Sequence, residues 1–168
     1  KGFIMKRRVF SIILLVVMIV SVIAPINAMA ATKVKILKVT VDSARLRYGP
    51  SSSYGVKTSL KKGTKVFYLG KTENSFAHIC TSKGLYGYMY KGYLKSYGSC
   101  NKSQVYYNKK KTLPVYKKAS TSSKRVTKLS KYQHVIVYGF KTKGSWAYIK
   151  TLGGKGGYCK ASALTKAF

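Results

Sequence analysis

FAHI at residues 76–79 returns as WAYI at 146–149, and GLYGYMYKGYL at 84–94 returns as GKGGYCKASAL at 154–164. Both pairs are 70 residues apart. Upstream the offset is 69, carrying Leu46 onto Val115, Leu60 onto Leu129, Val66 onto Val135 and Tyr68 onto Val137. The one-residue difference falls in the loop before Phe76 and Trp146, where an insertion costs little closure entropy. A fixed internal period is the first thing a sequence says about its architecture. This one predicts two copies of a single small unit.

Each copy alternates. Val66 and Tyr68 alternate with Lys65 and Phe67, Ala77 and Ile79 with Phe76, His78 and Cys80, and Val135 and Val137 with His134, Ile136 and Tyr138. A period of two, punctuated by Gly, Ser and Asn, signals short strands and turns. No 3.6-residue apolar period follows residue 30. The expected fold is all-β: two tandem small β-barrels of five or six strands each. A domain of about 60 residues buries only about 60% of its unfolded surface, so one copy alone is marginal.

Ahead of the repeat, Lys6, Arg7 and Arg8 precede the apolar run VFSIILLVVMIVSVIA, residues 9–24, then Pro25 and the small-residue stretch Ala28-Met29-Ala30. Charge, apolar stretch and small residues in that order read as a secretory signal peptide over residues 1–30, cut after Ala30. The run is shorter than the ~20 residues of a spanning helix. The expectation is therefore secretion, with no stable membrane insertion after cleavage. The remaining chain divides into a first domain at 31–95, a small polar linker at 96–104 (SYGSCNKSQ) and a second domain at 105–168.

The charge is extreme. Thirty-three Lys and Arg face only Asp42 and Glu73, interleaved with 15 Tyr, six Phe and one Trp. Such a field says nothing about fold but points to an anionic partner. The aromatics distinguish a folded basic protein from a disordered tail. Catalysis by paired carboxylates has no residues to work with. His78 and Cys80 share a strand face, but a small barrel has no room for a substrate cleft and no third orienting carboxylate. Three Cys and two His match no zinc spacing. No catalytic residue, metal site or cofactor is expected, and both histidines are expected as exposed strand residues.

At ARLRYGPSSSYG, residues 44–55, the first copy resembles the opening of bacterial SH3-like domains: a strand ending in an apolar residue and Arg, then Gly-Pro, Ser and an aromatic. LKKGTKV at 60–66, Phe76–Ile79 and the closing strand at 87–94 fit the same pattern. The second copy is more divergent. LPVYKKASTSS, residues 113–123, lacks the Arg and the Gly-Pro, while Trp146, Gly157, Tyr158 and Leu164 keep the spacing. The resemblance implies two SH3-like barrels in a secreted, cell-wall-associated, non-catalytic binding protein. Its partner would be peptidoglycan or teichoic acid, and a monomer is expected. Extracellular nucleic-acid binding is the alternative, since a basic barrel with aromatics can stack bases and phosphate contacts alone give non-specific affinity.

The ligand-binding candidates are Arg47, Tyr48, Tyr54, Phe76, Tyr86 and Tyr88 in copy one, with Tyr90 beside them. In copy two they are Tyr116, Trp146 and Tyr158, with Tyr148. Phe76 and Trp146 are expected with one face packed and one edge exposed. Of the cysteines, Cys80 should point outward, Cys159 should replace Met89 in the interior, and Cys100 should sit in the linker. In an oxidised secreted protein this favours a Cys80–Cys100 bridge. A bridge from Cys159 between the domains and three free thiols stay open as alternatives.

Overall fold

The computed structural model describes residues 33–168. The signal-peptide reading lies outside the described residues. Fourteen strands form two seven-stranded sheets. In copy one they are β1 (Lys33–Val39), β2 (Ala44–Arg47), β3 (Val56–Leu60), β4 (Lys65–Glu73), β5 (Phe76–Thr81), β6 (Tyr86–Tyr90) and β7 (Leu94–Asn101). In copy two they are β8 (Val105–Asn108), β9 (Thr112–Tyr116), β10 (Arg125–Ser130), β11 (His134–Lys141), β12 (Trp146–Thr151), β13 (Gly156–Lys160) and β14 (Leu164–Lys166). The first sheet runs β3-β2-β6-β5-β4-β1-β7 and the second β10-β9-β13-β12-β11-β8-β14. Advancing each label by seven converts one order into the other. The repeat seen in the sequence is thus a repeat of topology, strand for strand, and each sheet curls into a small barrel around its own core.

The change of offset from 69 to 70 resolves into two opposed changes. In copy one the β4–β5 ladder carries a bulge between Tyr68 and Thr72 and closes through Asn74 and Ser75, both at positive φ. In copy two the bulge shrinks to the step from Val137 to Gly139, and the turn lengthens to residues 142–145. One residue fewer in the bulge and two more in the turn give the net insertion.

Val39, Ala44, Leu46, Val66, Ala77, Ile79 and Met89 fill the first core. Leu113, Val115, Leu129, Val135, Val137, Ala147, Ile149 and Cys159 build the second, with Ala163 and Leu164. Cys159 takes the place of Met89, as expected. A third cluster lies between the barrels. Ile36, Phe67, Cys80 and Val34 from copy one pack against Val105, Ile136 and Leu152 from copy two, with Phe168 at its edge. Strands β4, β5 and β11 are therefore buried on both faces. Val66 faces its own barrel and Phe67 the other; Ile79 and Cys80 divide in the same way, as do Val135 and Ile136. Alternation alone reads the second set as outward.

Three expectations change at this seam. His134 is not an exposed strand residue but is 3% exposed. Its backbone N–H donates to Ser82 O at 2.8 Å, and its ring Nδ1–H donates to Tyr132 O at 2.9 Å, leaving Nε2 toward Cys80 Sγ at 4.0 Å. Residues 96–104 are not a loose linker. Most of them belong to β7, which pairs along the whole of β1 from Lys33↔Asn101 to Val39↔Leu94. A 3-10 turn at Lys102–Gln104 then leads straight into β8, so little slack joins the copies. The cysteines are free thiols. Cys80 Sγ is turned into the seam, against Thr81 O at 3.3 Å and His134, rather than into a bridge with Cys100.

Gly84 shows how closely the barrels meet. Its φ is +80°, and a Cβ there would lie 2.9 Å from Tyr132 O of the other copy. A side chain at this position meets both backbone strain and a carbonyl that cannot yield.

Two outcomes follow for stability. Phe67→Ala empties the middle of the seam and should lower unfolding free energy by about 3–5 kcal/mol in denaturant titration. Acid should act through the histidines, since only Asp42 and Glu73 carry side-chain carboxylates. Burial lowers His134 below its ordinary value of 6.5, and burial with Lys71 and Lys57 lowers His78. A depressed histidine binds its proton more readily in the unfolded chain. Stability is then complete above pH ~6.5 and falls as pH drops from there toward the lower folded values. Thermal melts monitored by circular dichroism should show Tm level above pH 7 and declining below ~6.5, with a shallower decline in His134→Phe. An equal slope in that variant would place the sensitivity elsewhere.

Candidate ligand-binding groove

Outward positions on β5 and β6 stand in rows set by the register. Ala77 and Ile79 point into the barrel, as do Gly87 and Met89, so the rows are Phe76 with Tyr90, His78 with Tyr88, and Cys80 with Tyr86. In the first row Phe76 and Tyr90 meet edge to face at 5.9 Å and 66°. Tyr93, from the 3-10 turn after β6, adds a third ring 5.2 Å from Tyr90 at 76°. In the second row His78 and Tyr88 stack at 4.7 Å and 15°. The third row belongs to the seam: the Tyr86 ring lies 6.2 Å from that of His134, and burial next to Cys80 pushes its hydroxyl up to about 12.

The first row opens into a groove of ≈ 790 Å³, bounded by the turn before β2 and by β2 itself. Asp42, Arg45, Arg47, Phe76, Tyr90 and Tyr93 line it. Three aromatic residues, one acidic residue and two arginines thus line one concave surface. Arg47 also braces the loop above the groove, donating from its guanidinium to Tyr54 O at 2.6 Å. In that loop the Tyr54 ring lies so close over Gly49 that a Cβ there would sit 2.5 Å from it. Tyr48 is exposed, with Lys57 Nζ 4.7 Å from its ring centre.

Of the copy-one candidates, then, Arg47 and Phe76 line the groove, with Tyr90. Tyr88 stands in the next row, Tyr48 and Tyr54 form the loop above, and Tyr86 faces the second barrel. The reading of strands missed Asp42, Arg45 and Tyr93. Tyr93 arrives through a 3-10 turn, which breaks the period-two count. Asp42 carried a signal in its rarity alone.

Copy two fills the corresponding place with its own side chains. Tyr116 stands where Arg47 does, Trp146 for Phe76, Lys160 for Tyr90 and Ala163 for Tyr93. Tyr116 and Trp146 meet edge to face at 5.9 Å and are 6% and 5% exposed. Lys160 Nζ caps the Trp146 ring at 4.3 Å from its centre. Neither candidate ring is open to a ligand, and the half-exposed edge expected of Trp146 is absent. Tyr158 remains on the outer face, 5.1 Å from Tyr148.

The two equivalent aromatics should therefore respond differently. Trp146→Ala should destabilise the protein by about 3–5 kcal/mol. Phe76→Ala, at a half-buried groove position, should cost about 1 kcal/mol. Denaturant titrations of both variants check this; equal costs would mean that the copy-two groove is no more closed than the first.

The bacterial SH3 domain family matches two segments, residues 42–95 and 111–165. No curated protein matches the chain. Among solved structures, the chain is similar to NlpC2 from Trichomonas vaginalis at 18% identity and a TM-score of 0.33, covering 82% of this chain and 49% of that one. NlpC1 from the same organism aligns at 19% identity and a TM-score of 0.33, over 80% of this chain and 46% of its own. An NlpC/P60 family protein from Bacillus cereus aligns at 13% identity and 0.33, over 80% of this chain and 56% of its own. The chain thus spans about half the length of each of these structures.

Proposed function

The chain belongs to the bacterial SH3 domain family, and from that premise we propose that it is a secreted, non-catalytic protein that binds the bacterial cell wall through the copy-one groove. The observation that carries this reading is the contrast between the copies: one groove is open and lined by Phe76, Tyr90, Tyr93, Arg45, Arg47 and Asp42, while its counterpart is packed shut by Tyr116 and Trp146. Sugar rings and short peptides offer flat faces that tilted aromatics can cover. Arginines supply forked donors to carboxylate or phosphate.

The lysines contribute a second, less specific attraction. Spread over both barrels, with almost no acidic residues among them, they draw the protein toward wall phosphates over a distance set by ionic strength. The two attractions separate by salt. Stacking in the groove survives it, whereas the charge field does not. Copy two then acts chiefly as the partner that covers Phe67 and Cys80, and as part of the basic surface.

Co-sedimentation with purified sacculi, with and without teichoic acids, tests the reading. Between about 0.1 and 1 M salt the screening length falls from about 10 Å to about 3 Å. Wild-type protein should stay on teichoic-acid-free sacculi at the upper end, and Phe76→Ala and Tyr90→Ala should release it. Release of the wild type by salt alone, or complete displacement by DNA, would make the charge the whole of the binding and sink the groove assignment.

A further inference from the structure

The rarest residue type in the chain stands in the groove. Against 33 Lys and Arg there are two carboxylates. Glu73 is paired with Lys71 Nζ at 2.8 Å. Asp42 lines the groove with Phe76, Tyr90 and Tyr93 and makes no ion pair among the described residues. In a protein so rich in ammonium groups, this is a carboxylate without a lysine or arginine partner among the described residues, lining a groove with three aromatic residues. Angled rings and a carboxylate are the chemistry that holds an ammonium: the ring faces supply negative potential and the carboxylate neutralises the charge.

Copy two contains an internal version of the same contact. There Lys160, at the position of Tyr90, lays its ammonium over Trp146, at the position of Phe76. The carboxylate position is taken by Lys111 and the third ring by Ala163. The second copy satisfies its aromatic with its own lysine and has lost the acid. In copy one, the lysine–aromatic pairs among the described residues fall on Tyr48 and Tyr97, not on Phe76, Tyr90 or Tyr93. Gly92 helps to keep these rings in place, since a Cβ there would come within 2.5 Å of Tyr90.

We propose that the copy-one groove recognises a primary ammonium group on its wall ligand, held between the Asp42 carboxylate and the faces of Phe76, Tyr90 and Tyr93. Arg45 and Arg47 take the acidic group of the same ligand. The ligand class is a zwitterion with a free amine, carried either by a wall peptide or by an aminoacyl ester on a phosphate polymer. This rests on the reading of the groove as the wall-binding site and names what that site selects.

The test is co-sedimentation with sacculi whose amines have been acetylated with acetic anhydride, beside untreated sacculi. Simple charge attraction predicts tighter binding after acetylation, because the wall loses positive charge. Recognition of an ammonium predicts the reverse, with binding weaker by roughly tenfold. Asp42→Asn, nearly isosteric and on an exposed turn, should bind both preparations at the weaker level, and Tyr93→Ala, which copies Ala163, should move the same way. If acetylation leaves wild-type binding equal or tighter while Phe76→Ala still weakens it, the ammonium assignment is overturned and the groove stands. If neither Phe76→Ala nor Asp42→Asn changes binding, both fall. Repeating the comparison on sacculi stripped of teichoic acids assigns the amine: an effect that persists places it on peptide, and one that vanishes places it on the polymer ester.

Discussion

The seam between the barrels is the contact on which the molecule depends. A barrel of this size cannot remove much apolar surface from water by itself. Phe67, Cys80 and Ile36 stand on the outer face of the first sheet, where a lone domain would leave them wet. Val105, Ile136 and Leu152 cover them, and burying a side chain such as Phe67 contributes roughly 1.5–3 kcal/mol. Polar groups at the edge follow the same closure: His134 donates through backbone and ring to Ser82 and Tyr132 carbonyls. The tight approach at Gly84 then fixes the two copies against each other.

Once the copies share a seam, they no longer need to be equal. The seam occupies one side of the β4–β5–β6 face, through Cys80 and Tyr86, and leaves the far side, through Phe76 and Tyr90, to solvent. In copy one that far side is a groove. In copy two Tyr116 occupies the place of Arg47 and packs on Trp146, so the same topology gives a closed wall. An arginine-to-tyrosine exchange converts a braced loop and an open cleft into an aromatic stack. One copy keeps an open groove, and the other closes the equivalent place.

The charge itself has two scales. Lysines distributed over the surface make a diffuse field that ions can screen. Asp42, Arg45 and Arg47 are a local arrangement that lines one groove with Phe76, Tyr90 and Tyr93. In the proposed function, the diffuse field draws the protein to an anionic surface and the local arrangement selects what it holds there.

The repeat, the β class and the identity of the core residues were legible in the chain because alternation and self-similarity are local properties: Leu46, Val66, Ile79 and Cys159 lie where their spacing places them. Phe76, Tyr90 and Arg47 were candidates through the pattern at residues 44–55 and 76–90, and they line one groove. Phe67, Cys80, Ile136 and His134 were not, because a period of two names one buried face and only a neighbour can bury the other. Residues 96–101 read as polar linker, yet they close the first barrel along β1, since strand pairing draws on backbone groups that every residue carries. The burial of Tyr116 and Trp146 was likewise decided by proximity across β9, β12 and β13. The sequence by itself determined two β-barrels and a basic surface; only the tertiary structure decided which face is covered and which groove stays open, because those depend on contacts between residues whose separation along the chain carries no period.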